Sequence, residues 1–181
     1  MKRFLPHLAA ASALLCISAA AVAEEQETIR VSEFTFKYGE PWLRQQANSP
    51  MRAGQFLYEH EETDLGQIEL VIFHFGAGQG GGVQANVDRW LGMFEGSPES
   101  STEEREADGR KVTVLSATGT YMESAGGPFS GNKTARPDYT MLAAILPSEQ
   151  GDVFLRLTGP AKAVEAMKEA FDAFAFSPFE S

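Results

Sequence analysis

The chain is poor in the residues that carry most nucleophilic and metal chemistry. Of its 181 residues one is cysteine and three are histidine. Cys16 and His7 both lie in an apolar N-terminal run. Without that run the chain has no disulfide, no thiol nucleophile and no cysteine metal ligand, and its histidines are His60 and His74. There is no Gly-Lys-Ser/Thr phosphate loop, no Gly-x-Ser-x-Gly nucleophile turn and no His-Glu-x-x-His pair. Basic charge is also scarce. Fifteen Lys and Arg against 25 Asp and Glu give a net charge of −10, or −12 without Lys2 and Arg3. A surface of that sign repels nucleic acid and anionic membranes. Beyond the N-terminus no apolar stretch approaches the length of a membrane span.

The N-terminus reads as a secretory signal. Lys2 and Arg3 precede an Ala- and Leu-rich core within Phe4 to Ile17, and Ala21-Val22-Ala23 is a small-x-small cleavage site followed by Glu24 and Glu25. The rival reading is an uncleaved anchor, since Phe4 to Ala23 carries no charge. Leu15 before Cys16 is too large for a lipidation signal. The expected organisation is a signal peptide over 1–23, a flexible leader over 24–28 and one domain over 29–181, located in the periplasm or secreted.

Hydrophobic periodicity places strands over Ile29 to Phe36, Met51 to Tyr58 and Ile68 to Phe75. Trp42 falls in an irregular segment after the Gly39-Glu40-Pro41 break and is expected to plug the edge of the core. Ile68 to Phe75 is almost wholly apolar, so it is expected to be covered on both faces, with His74 as a core histidine holding one hydrogen bond. Glu59 to Asp64 reads as an acidic solvated turn. Ser97 to Gly109 has almost no apolar residue and is expected to be a solvated connection. A strand over Lys111 to Tyr121 then leads into a long loop over Met122 to Asp138, rich in Gly and Pro and carrying Lys133 and Arg136. Tyr139 to Leu146 and Asp152 to Leu157 form a hairpin. Gly159-Pro160 opens a final amphipathic helix with Ala163, Val164, Met167, Ala170, Phe171 and Phe174 on its apolar face.

The stretch richest in signal is ELVIFHFGAGQGGGVQANVDRWLGMF, Glu69 to Phe94. An apolar strand enters a glycine-dense turn and leaves it as an amphipathic helix, with Val83, Val87, Trp90 and Phe94 on the core side and Asn86 and Arg89 on one edge. Gly76-x-Gly78-x-x-Gly81 matches the spacing of a dinucleotide fingerprint. Repeating strand–helix units and an acidic ribose partner are both missing, and nicotinamide cofactors are not expected outside the cytoplasm, so no cofactor is expected. A weaker form of the idea survives, in which these backbone amides bind another anion. The same glycines also serve as plain tight-turn chain.

Element order, Trp42, the Phe75-to-Phe94 unit and Phe154-x-x-x-x-Gly159-Pro160 leading to Ala170-Phe171 resemble the α/β/α sandwich shared by the photosystem II extrinsic protein PsbP and a Ran-binding nuclear import factor. Gly81-Gly82-Val83-Gln84-Ala85-Asn86-Val87-Asp88-Arg89-Trp90 also resembles a run in exported bacterial proteins that have no assigned activity. The resemblance implies a single α+β domain with a mostly antiparallel sheet, of a kind that mostly binds proteins. The glycine-rich turn departs from PsbP, so a photosynthetic role is not implied. The expectation is a non-catalytic exported module that binds a protein partner in the cell envelope or a small anion, with no nucleic acid and no metal. The expected site is Gly76, Gly78, Gly80, Gly81, Gly82, Asn86, Arg89 and the Gly126–Asp138 loop. The alternative is a periplasmic hydrolase using carboxylates with His74 as a base.

Overall fold

The computed structural model describes residues 26–59, 67–124 and 133–180. Residues 1–23, expected to be a signal peptide and including Cys16, lie outside the described residues, as do residues 60–64 of the acidic turn and residues 125–132 of the long loop. The chain forms β1 (Glu27–Val31), β2 (Phe34–Tyr38), β3 (Leu43–Arg44), β4 (Arg52–Glu59), β5 (Gln67–His74), α1 (Val83–Leu91), β6 (Glu99–Ala107), β7 (Arg110–Ser124), β8 (Lys133–Leu146), β9 (Val153–Pro160), α2 (Ala161–Ala166) and α3 (Lys168–Phe176). A 3₁₀ turn over Ser177–Phe179 follows.

Seven strands form one sheet in the order β3-β4-β5-β9-β8-β7-β6, with every neighbouring pair antiparallel. Its two faces are read from strand alternation. Leu142, Ala144 and Leu146 join Leu155, Leu157, Leu70 and Ile72 on one face, under α2, α3 and the β1–β2 hairpin. Met141, Ala143 and Ile145 join Leu115, Ala117 and Phe154 on the other face, under Val87 and Trp90 of α1. The architecture is therefore the three-layer α+β sandwich expected.

The first core is aromatic. Phe174 of α3 stacks on Phe36 at 5.4 Å and meets Phe56 at 5.1 Å and Trp42 at 5.9 Å, edge-on in the last two cases. One ring thus ties the terminal helix to the hairpin, the sheet and the Trp42 segment.

Several elements differ from expectation. The first strand is a hairpin, β1 and β2, turning at Ser32 with a positive φ of 57°. β1 begins at Glu27, inside the stretch read as leader. Residues 99–107 are an edge strand, with each residue paired to β7, instead of a solvated connection. Charged side chains hide such a strand from a periodicity argument because both of its faces are wet; they also discourage a further strand from pairing there. The missed signal is Asp108-Gly109, whose φ values of 50° and 71° suit a two-residue hairpin turn.

The expected loop over 122–138 is largely sheet as well. Tyr121 to Ser124 pair with Arg136 to Lys133, and a bulge sets Thr120 against Pro137 and Asp138. The single C-terminal helix is divided at Met167, whose N–H bonds Val164 O at 3.0 Å. Val83, placed on the core stripe by rotation, is 41% exposed because α1 starts past the end of the sheet, and Phe94 reaches the core from beyond the helix.

Arg110 joins the hairpin to the β8–β9 turn. It donates to Glu33 Oε1 and to Pro147 O, both at 2.8 Å. The Ser148 hydroxyl, followed by Arg110, holds the Glu33 carboxyl below its ordinary range.

Two tests follow from this packing. Phe174→Ala should cost about 3–5 kcal/mol of unfolding free energy in a denaturant titration, because the cavity opens at the meeting point of three layers. A carboxylate with a lowered pKa contributes stability above its unfolded value and loses it as pH falls through the folded value. Glu33→Gln should therefore flatten the acid limb of a midpoint-versus-pH curve and leave the alkaline limb unchanged.

Candidate functional site

The glycine loop leaves β5 at its C-terminal end and enters α1. Gly76, Gly78, Gly80 and Gly81 have φ of 86°, 71°, 90° and 81°, the left-handed region where a side chain is strained. Gly82 is extended, at φ −77° and ψ 169°, and caps α1 without a side-chain hydrogen bond. Gly80 carries a second constraint, since a Cβ there would lie 2.9 Å from the Phe154 ring and 3.1 Å from Phe75. At the other end of the loop, a Cβ on Gly151 would collide with the Gly76 carbonyl, so the β8–β9 turn closes directly onto the loop.

Asn86 organises the loop. It is 2% exposed, and its Nδ2 donates to Gly80 O, Gly81 O and Gly82 O at 2.9, 3.3 and 3.0 Å. The polar ends of a trans peptide point in opposite directions. Carbonyls gathered on Asn86 therefore turn the N–H groups of Gly81, Gly82 and Val83 away from it. None of these amides has an acceptor among the described residues. They adjoin the positive end of α1, whose first turn holds no acidic residue.

Arg89 is exposed and donates from Nη1 to Asn86 Oδ1 at 2.8 Å. Its partner is thus a side-chain amide oxygen on the same helix. Arg89 has no carboxylate partner among the described residues. The loop, Asn86 and Arg89 thus come together as one unit. Of the other expected loop, Lys133 to Asp138 belong to β8.

His74 is half-buried, and its Nδ1 lies 3.4 Å from Asp152 O, a backbone carbonyl. It pairs with no carboxylate among the described residues, and no group of three or more His, Cys, Asp or Glu among them is placed to hold a metal. Two surface depressions lie elsewhere. One of about 440 Å³ is lined by Arg44, Gln45 and Gly54, and one of about 280 Å³ by Arg110, Ser148 and Asp152. No described helix is long and apolar enough to cross a membrane.

A solved structure shares this arrangement of elements. Cyanobacterial PsbP (CyanoP) of Synechocystis sp. PCC 6803 superposes with a TM-score of 0.53 at 15% identity, covering 90% of this chain and 96% of that one. The chain has a PsbP-like fold. LpqN of Mycobacterium tuberculosis, a protein involved in cell envelope biogenesis, matches with a TM-score of 0.49 at 12% identity over 83% of this chain and 87% of that one. PA94 of Pseudomonas aeruginosa, a protein of unknown function, matches with a TM-score of 0.46 at 14% identity over 81% and 91% of the two chains. No protein-family model and no curated protein matches the sequence. At these identities a PsbP-like fold speaks for architecture and leaves the ligand to the site itself.

Periodicity passes over a second polar group, around Arg156. A lone charge inside the apolar run VFLRLTG of β9, the middle strand of the sheet, is the signal that marks it.

The loop geometry yields a stability test. Asn86→Ala leaves the Gly80 and Gly81 carbonyls without their donor, while Gly82 O keeps the backbone N–H of residue 86, and should cost about 1–3 kcal/mol in chemical denaturation. Arg89→Ala removes one partner of Asn86 at an exposed position and should cost about 1 kcal/mol or less.

Proposed function

We propose that this chain is an exported, non-catalytic module that binds a small anionic ligand, or an anionic group on a protein partner in the cell envelope, at the glycine loop. The observation that carries this reading is the set of outward-facing, acceptor-free amides of Gly81, Gly82 and Val83 at the N-terminus of α1. Donors so placed bind negative charge through hydrogen bonds and the helix dipole together. Arg89 adds a nearby cation, and Asn86 pre-organises the donors so that little ordering entropy is lost on binding. Export is supported by the signal-like sequence over residues 1–23.

The chemistry suits binding better than turnover. His74 points its Nδ1 at a backbone carbonyl, and no acid–base pair stands beside the loop among the described residues. Acidic charge elsewhere on the chain disfavours polyanions, so a ligand with one or two negative charges is the better fit.

The test uses protein expressed with its own N-terminal segment, recovered after export and labelled for NMR. Phosphate, sulfate, acetate and succinate should produce saturable shifts at the amides of residues 81–84. Val83→Pro keeps the fold, because proline suits the first helical position and Gly82 already has the extended conformation that must precede it. It deletes one donor, so affinity should fall by about fivefold or more. Unchanged affinity in Val83→Pro, or no saturable shift with any of the anions, would overturn this reading.

A further inference from the structure

α1 covers only part of its side of the sheet. Its core contacts are with β7, β8 and β9 and with Phe73 near the end of β5, and on the same side the rest of β5 and β4 carry no helix among the described residues. Register shows what projects there. Leu57, Glu69 and Thr158 form one cross-strand row, and Gln55, Val71 and Arg156 form the next. This strip is unusually polar for the middle of a sheet, and its polar groups are unequally satisfied.

Glu69 is satisfied. Its Oε1 accepts from Arg52 Nη1 at 2.6 Å and from Gln55 Nε2 at 3.0 Å. Arg156 is not. It is half-buried, its Nη1 donates to the Met93 sulfur at 3.3 Å, and its guanidinium carbon lies 5.5 Å from the centre of the Phe73 ring. No carboxylate pairs with it among the described residues. Two residues along the same face, the Thr158 hydroxyl is buried without a hydrogen-bond partner. A half-buried cation without a counter-ion and a buried hydroxyl without a partner each cost stability. Sulfur and an aromatic face hold the guanidinium in place without neutralising it. The local balance is two cations, Arg52 and Arg156, against the single carboxylate of Glu69, on a chain whose net charge is −10.

We propose that this strip is a binding site for an organic monocarboxylate with an apolar body. The carboxylate accepts from the free N–H groups of Arg156, whose planar fork matches it, and from the Thr158 hydroxyl, which turns out of its buried position to reach it. The apolar body lies along Phe73, Leu57 and Met93, all incompletely buried. Glu69, directly across from Thr158, repels a second negative charge, which selects a monoanion over a phosphate dianion. The site is separate from the glycine loop and stands without it.

The experiment follows binding of 4-phenylbutyrate to the exported protein by NMR and by thermal midpoint. 4-Phenylbutyramide serves as the uncharged control and inorganic phosphate as the dianion. The carboxylate should shift residues 71, 73, 156 and 158 saturably and raise the midpoint; the amide should do neither, and phosphate should bind more weakly at these residues. Arg156→Gln should weaken 4-phenylbutyrate by about tenfold or more. Thr158→Val covers the case in which Arg156→Gln does not fold. It should raise the midpoint of the free protein, by removing an unsatisfied hydroxyl, while weakening the carboxylate several-fold. Equal affinity for acid and amide, unchanged affinity in Thr158→Val, or carboxylate shifts confined to residues 81–84 would each overturn the proposal; the last of these would leave the glycine loop as the anion site.

Discussion

The span of α1 sets the geometry on which both candidate sites depend. β5 and β6 run in the same direction but are separated in the sheet by β9, β8 and β7. Chain leaving β5 must therefore cross three strands and return to the opposite end of the sheet before β6 can begin, and α1 with the segment after it makes that crossing. A crossing of this kind has to begin with a sharp change of direction at the end of β5, which the left-handed glycines allow and Asn86 fixes. It ends with the segment after α1 stitched to β7, where Met122 N–H bonds Met93 O and Glu95 N–H bonds Thr120 O, both at 2.8 Å. Because the helix leans toward β7, it cannot also cover β4 and β5. An amide-rich entrance and a polar strip with no helix over it among the described residues are two results of one topological requirement.

The opposite face answers a different need. There α2, α3 and the β1–β2 hairpin close over a contiguous apolar surface, and Phe174 receives rings from the hairpin, from the sheet and from the Trp42 segment. That layer supplies most of the apolar burial, and its interior holds few polar side chains. A protein without a disulfide in its body must take its stability from such packing. The division of labour leaves the α1 side free to carry unsatisfied donors at a cost the other side offsets.

How much of this was legible depended on which residues have a single physical reading. The positions of β4, β5, β8 and β9, the core stripe of α3 and the buried position of Trp42 follow from apolar patterning, although β5, expected to be covered on both faces, leaves Glu69, Phe73 and His74 half-buried and Phe75 exposed. The glycine loop was visible because five glycines between an apolar strand and an amphipathic helix mark a sharp turn with exposed backbone. The strand β6 was hidden because an edge strand with wet faces has the composition of a loop, and only Asp108-Gly109 marked it. Arg156 was hidden by its position in the sheet. A charge in a central strand could point to either face, and what makes it notable is a missing partner, which only the assembled sheet reveals. The role of Asn86 was half visible: its edge position came from helix rotation, but its three carbonyl partners depend on how the loop folds back.

The two margins of the sheet have different consequences for how the molecule behaves in a crowded compartment. β3 has two residues, so it shields only a short part of β4. β6 presents nine, almost all exposed and including four glutamates, along an otherwise unpaired border. Like charges meeting along two such borders repel, so copies of the chain are kept from zipping together into extended fibres at neutral pH. That protection is colloidal: it acts between copies of the chain and adds nothing to the fold of any one of them.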